Sequence, residues 1–321
     1  DIWSAGVFQT SPLHELLKQE RFTLEEVLEQ DEVLQEVKAR NRTLIEFISS
    51  EQQVTALINY VVIHPPADAG DMRLYKYPYM ACEVLCCEVP EVLDLTVEGG
   101  GGKFLDQLFS IIEHEARLNH FLAGYFEKIL EVLFRRKTIQ IMSYLNSKGV
   151  DLLRRFLKHI SNYSIMQVVQ RLMLPHIPFS VETADLEQIL PNQRQNCQCN
   201  WSYLPDTCAL LTRRMLDAGD ADVPYHVSDL LITVVQLSAP DAPFLVHLCM
   251  QSNLEHLLAA AFDSPAPDAA TDASSDVALA SVSVLESLIS RLCEASNPFD
   301  GVAAVAMGNA AAAAAAGGGA G

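Results

Sequence analysis

Apolar side chains recur along this chain every three to four positions, the spacing that keeps one face of an α-helix dry, and sustained strand alternation is scarce. Residues 31–48 read as one amphipathic helix with Leu34, Val37, Leu44, Ile45 and Ile48 on a face, interrupted by the polar Asn41. A second helix groups Val54, Leu57, Ile58, Val61 and Val62. It ends at His64-Pro65-Pro66, where proline cannot continue it. A loop then runs to Tyr77-Pro78, and a helix is expected over residues 79–88. The run Gly99 to Gly102 predicts a flexible break. Beyond it come an apolar group from Phe104 to Ile112, a long helix from Leu118 to Phe134, and shorter helices around Met142, Phe156 and Val168. Residues 174–206, rich in Pro, Asn and Gln, predict a loop-rich insertion with one short helix at 184–190. Helical patterns resume near 207–217, 226–237, 243–262 and 276–294.

Many of these helices are apolar on a face too broad for a lone surface helix, so each must pack on neighbours at both sides. A compact bundle would serve. Local connections between successive groups of two and three helices favour an all-α, irregular α-solenoid of stacked pairs and triplets, HEAT- or armadillo-like. One such domain is expected over residues 1–294, followed by a low-complexity tail, 295–321, ending in alanine and glycine runs and expected to be disordered. In this architecture Asn41 either bonds backbone groups at neighbouring helix ends or sits half-solvated at the edge of the stripe.

Charge sharpens the picture. The 321 residues carry a formal net charge of −19, distributed unevenly. Residues 1–60 hold 11 acidic and 5 basic residues, residues 61–180 hold 13 of each, and residues 181–321 hold 17 and 4. Acidic ends argue against nucleic acid and anionic membrane as partners. The eight cysteines sit mostly in apolar helical patterns, as small hydrophobes of a reducing compartment. The opening residues hold no apolar signal segment, and no run approaches the ~18 apolar residues of a membrane span. The expectation is an intracellular protein, cytoplasmic with the nucleus as a second compartment.

Catalytic patterns are absent from the sequence. The glycine run lacks the Lys-Ser/Thr of a phosphate loop, and no Gly-x-Ser-x-Gly elbow or His-Glu-x-x-His pair occurs. Cys197-x-Cys199 with Cys208 and His176 is poorly spaced for zinc. The acidic turn Asp217, Asp220, Asp222 lacks the glycine and glutamate of a calcium loop. No catalytic residue, metal or cofactor is expected. One local contrast remains. Residues 128–171 carry nine basic side chains, including Arg135, Arg136, Lys137 and Arg171, against Glu131 and Asp151 alone. With His159, this strip is either a docking face for an acidic protein surface or a solvated edge that balances acidic neighbours in the array. Tyr75, Lys76, Tyr77 and Pro78 form a second candidate contact; they either anchor a partner or cap the next helix.

Long ungapped stretches carry a family resemblance. SPLHELLKQERFTLEEVLEQDEVLQEVKARNRTLIEFI, KYPYMACEVL, LNHFLAGYFEKILEVLFRRKTIQIMSYL and FLKHISNYSIMQVVQRLML resemble the SAPS-domain family, the regulatory subunits of protein phosphatase 6. The similarity extends over about residues 2–294 and is strongest in the first 174. The resemblance implies a non-catalytic helical-repeat subunit that binds the phosphatase's catalytic subunit, with an ankyrin-repeat protein as a third component. It also implies a long C-terminal region beyond this chain, which then reads as a fragment. Residues 191–206 and the acidic turn at 217–222 depart from the family pattern. The metal motifs of the phosphatase itself are missing; Gly70-Asp71-Met72-Arg73 comes nearest and lacks the histidine. The alternative is an armadillo-like adaptor that binds peptides or cargo and no phosphatase.

Overall fold

The computed structural model describes residues 11–66, 68–174, 199–217, 219–239, 241–262 and 272–295, and among them every regular element is helical. The all-α solenoid expected from periodicity is the fold observed. The chain divides into two compact units, Asp1–Leu210 and Leu211–Gly321. The expected tail and most of the expected insertion, including Cys197 and His176, lie outside the described residues.

The first unit opens with α1 (Pro12–Leu17) and α2 (Leu24–Leu28) and continues in triplets. These are α3 (Val33–Lys38), α4 (Arg42–Ile48) and α5 (Glu51–Val62), then α6 (Tyr77–Leu85), α7 (Pro90–Glu98) and α8 (Lys103–Phe109). Next come α9 (His120–Arg136), α10 (Thr138–Lys148) and α11 (Val150–Lys158), and α12 (Tyr163–Met173) begins another group. Equivalent helices stack: α3 on α6, α6 on α9 and α9 on α12 form one column, while α5 packs on α8 and α7 on α10. Helices α6, α9 and α12 start 43 residues apart, within the armadillo range.

Local chemistry sets the helix ends. A reciprocal capping box of Thr23 and Glu26 starts α2. Asparagine caps start α9 and α12, and proline opens α7. Between the columns the core is aromatic: Phe109 meets Phe126 edge-on at 5.5 Å, and Phe156 lies 6.2 and 6.5 Å from the two. These rings tie α8, α9 and α11 together.

Three local expectations are corrected. The single helix over 31–48 is two helices, broken by a left-handed Arg40 at φ 59°. Asn41 is the N-cap of α4: its side chain accepts from the Leu44 amide at 3.4 Å and donates to Glu36 at 2.8 Å. It therefore serves its own turn, not the neighbouring helix ends. The loop before Tyr77-Pro78 is a π-helical turn, Met72–Lys76, that runs directly into α6. The glycine run is a defined turn: Gly100, Gly101 and Gly102 all have positive φ, which side chains with a Cβ rarely adopt.

The second unit contains α14 (Asp222–Leu237), α15 (Pro243–Leu248), α16 (Gln251–Phe262) and α17 (Asp272–Ala295), preceded by α13 (Pro205–Met215), in which the division falls. α14 and α16 both pack on α17. Val227, Leu231 and Val234 of α14 and Val284 and Leu288 of α17 are buried there. The pattern over 243–262 is two helices, and Asn253 folds its amide back onto the His247 carbonyl at the junction.

Candidate interaction surface

The stretch from Tyr75 to Pro78 is held largely by its own unit. Lys76 donates to the Glu29 carbonyl at 2.8 Å, and the Tyr77 hydroxyl donates to the Glu29 carboxylate at 2.6 Å. That hydrogen bond, with some burial, pushes the Tyr77 phenol up to about 12, so it remains a donor across the physiological range. Pro78 is buried in the first turn of α6. Tyr75 points outward.

The basic strip is a ladder. Lys128 meets Glu83, Arg135 and Arg136 share Glu88, and Lys137 meets Asp94. Lys148 binds Asp106 at 2.6 Å, Arg155 meets Glu113, Lys158 binds Glu115 at 2.9 Å, and Arg171 lies 3.6 Å from Glu131. In each case the carboxylate belongs to the preceding repeat. Arg154 pairs within its own helix with Asp151. Burial raises the Glu88 carboxyl, but the hydrogen bond from Arg136 and the charge of both arginines outweigh it and hold the group below its usual range. At Asp106 the Lys148 hydrogen bond acts first and in the same direction. Of the two readings of this strip, the geometry matches the edge that balances acidic neighbours. His159 is not on that edge: it is 6 % exposed, and burial lowers its pKa despite the backbone of His114 and Ile112 beside it.

A row of rings that sequence reasoning passed over lies on the α6–α9–α12 column. Tyr79, Phe121 and Tyr163 are 46 %, 64 % and 59 % exposed, and each follows the last by 42 residues. Tyr75, one helical turn before Tyr79, is 59 % exposed. The Tyr79 ring sits 6.5 Å from that of Tyr125 on α9. The helices approach closely here: a Cβ added to Gly124 would lie 3.8 Å from the Ser164 hydroxyl. Aromatic side chains of this size bury large area when covered, so their exposure on three successive repeats stands out from the buried core beneath. The repeated offset was the available signal; a search for periodicity within single helices read Phe121 as helix core and left Tyr79 and Tyr163 unremarked.

The remaining candidates are structural. Cys199 is fully buried against the Met142 sulfur, and burial pushes its thiol up to about 12. Asp217 accepts from the Gly219 amide and Asp220 from the Asp222 amide, so these carboxylates close their own turn. Among the described residues no cluster of His, Cys, Asp and Glu could hold a metal, and no helix is long and apolar enough to cross a membrane.

Comparison with known proteins places this array among relatives. The chain is 31 % identical over 272 residues to human serine/threonine-protein phosphatase 6 regulatory subunit 2, covering 81 % of this chain and 26 % of that protein. It is 34 % identical over 239 residues to human regulatory subunit 1, covering 69 % and 26 %. Extragenic suppressor of kinetochore protein 1 of Schizosaccharomyces pombe is 24 % identical over 243 residues, covering 72 % and 27 %. The chain thus spans under a third of the length of the curated relatives it matches. No family model matches it, and no solved structure does.

Proposed function

Since this chain belongs to the family of the serine/threonine-protein phosphatase 6 regulatory subunits, we propose that it is a non-catalytic regulatory subunit that holds the catalytic subunit of that phosphatase and directs its substrate choice. The observation that carries the reading is kinship over most of the chain with proteins named for that role. The fold supports it, because stacked repeats present a long ordered surface on which a partner can be gripped at several points. Its partners are proteins: the catalytic subunit first, an ankyrin-repeat subunit as a third component, and neither nucleic acid nor membrane. It takes no cofactor and works in the cytoplasm and the nucleus. Of the residues expected to meet a partner, Tyr75 is open to one. Arg135, Arg136, Lys137 and Arg171 would each have to release a carboxylate first.

The test is reconstitution. Purified chain and purified catalytic subunit should co-elute as one species on size exclusion. Phosphopeptide turnover should belong to the catalytic subunit and vanish from the chain when that partner is removed. Separate elution at micromolar concentrations, or turnover by the chain alone, would overturn the proposal.

A further inference from the structure

We infer that the groove between α14 and α17, within the second unit, is a docking site for a basic, extended segment of a partner protein. The inference goes beyond the regulatory reading and does not depend on it. The two helices pack against each other, and two cavities lie over their junction, one of about 500 Å³ and one of about 320 Å³. Ile232 and Ser283 line both, so the cavities join into one trough. On α17 the trough runs from Asp276 to Glu294, a stretch of helix roughly 27 Å long. About eight residues of extended chain would span it.

Charge selects the occupant. Asp229, Asp276, Glu286 and Glu294 line the trough, and all four are exposed. Among the described residues the first three meet no cation. Arg291, the one basic residue in the lining, is turned aside: it donates to the Ser238 carbonyl at 2.7 Å and lies 3.4 Å from Glu294. Residues 211–321 carry 13 acidic and 3 basic residues, so their field attracts a cationic segment and repels an anionic one. A second observation comes from the floor of the larger cavity. Ser287 is 8 % exposed there, and its hydroxyl has no hydrogen-bond partner; nor has Nε of Arg291 on the same helix. Buried polar atoms are normally paired, and an extended chain brings carbonyl oxygens to which a rotated Ser287 hydroxyl can donate. Tyr225 and Leu279, both exposed, line the smaller cavity and offer cover to an apolar side chain set between basic ones.

The experiment titrates the chain of residues 1–321 into a fluorescent octapeptide, Lys-Ala-Arg-Leu-Lys-Ala-Arg-Leu, capped at both ends, and reads anisotropy. The expected result is saturable binding whose Kd rises about tenfold in the groove variant Asp229→Asn, Asp276→Asn, Glu286→Gln. The parent's Kd should also rise several-fold between about 0.05 and 0.5 M salt. The control variant Glu20→Gln, Asp31→Asn, Asp71→Asn removes the same charge from exposed positions of the first unit and should bind within about twofold of the parent. Ser287→Ala should weaken binding about fivefold without lowering the melting temperature, because an unpartnered buried hydroxyl does not stabilise the fold. Neutralising groove carboxylates relieves repulsion, so the groove variant should stay folded; if it unfolds, Glu286→Gln alone is read, with about a threefold loss expected. No binding by the parent, a groove variant within threefold of it, or a control variant that loses as much would each overturn the inference. So would a Ser287→Ala chain that binds as the parent does, or spermine displacing the peptide as well as unlabelled peptide does. The regulatory reading is judged separately, by binding of the catalytic subunit.

Discussion

Glu127 on α9 is a half-buried carboxyl beneath α12, close to the ring row. Burial pushes its pKa up, against the opposing pull of the Ser164 hydrogen bond and the Arg171 charge. A carboxyl whose folded pKa lies above its unfolded value contributes its full stability below the unfolded pKa and loses it as pH rises through the folded one. At neutral pH the ionised group is therefore a cost. Glu127→Gln should raise the melting temperature at pH 7, and the gain should vanish below about pH 4, where the wild-type group is protonated in both states. Thermal melts at the two pH values check this. His159 illustrates the reverse lesson at this scale. Grouped with the basic strip in the sequence, it is buried at the C-terminal cap of α11.

At the scale of elements, breaks between helices carry as much information as the helices. The α3 helix ends with the Arg40 amide bonded to the Val37 carbonyl and the Asn41 amide to the Glu36 carbonyl, at 3.1 and 3.0 Å. This paired closure normally employs glycine at the left-handed position, which Arg40 fills at φ 59°. Arg40 also reaches the next triplet, donating to the Glu88 carbonyl at 3.3 Å and lying 3.6 Å from Glu91. Both contacts are solvent-exposed and weak. Arg40→Gly should therefore stabilise the chain by about 0.5–1 kcal/mol, and Arg40→Val should destabilise it by more than ~1 kcal/mol, read as shifts in the denaturation midpoint. Amphipathic spacing continues through the break with little interruption, which is why residues 31–48 looked like one helix.

Across the whole first unit, the ladder links each repeat to the one before it. Glu88 is the rung shared by two arginines, and its carboxyl is held below its usual range. Such a group contributes stability above its unfolded pKa and loses it as pH falls through the folded value. Glu88→Gln should cost about 1 kcal/mol at neutral pH and low salt. The cost should shrink in ~0.5 M salt, and shrink as the pH falls below the unfolded carboxyl's value of about 4.3, vanishing only below the lower folded value. Comparing variant with parent at each salt concentration matters, since salt also relieves the repulsion within a chain of net charge −19. An undiminished difference at high salt and low pH would show that the rung acts by packing.

Helix type, the stacked architecture and the kinship with phosphatase regulatory subunits were all legible in the residues, because apolar period and long shared segments are local properties of a chain. So was the basic excess of residues 128–171. What that excess does was not legible, because eight of its nine cations find a carboxylate some 40 to 48 residues earlier, across a helix interface that exists only once the triplets stack. The ring row depends on the same stacking. Tyr79, Phe121 and Tyr163 belong to three separate amphipathic patterns, and only the packing of α6, α9 and α12 leaves all three exposed, because burial is settled by neighbours and not by the helix that carries the side chain.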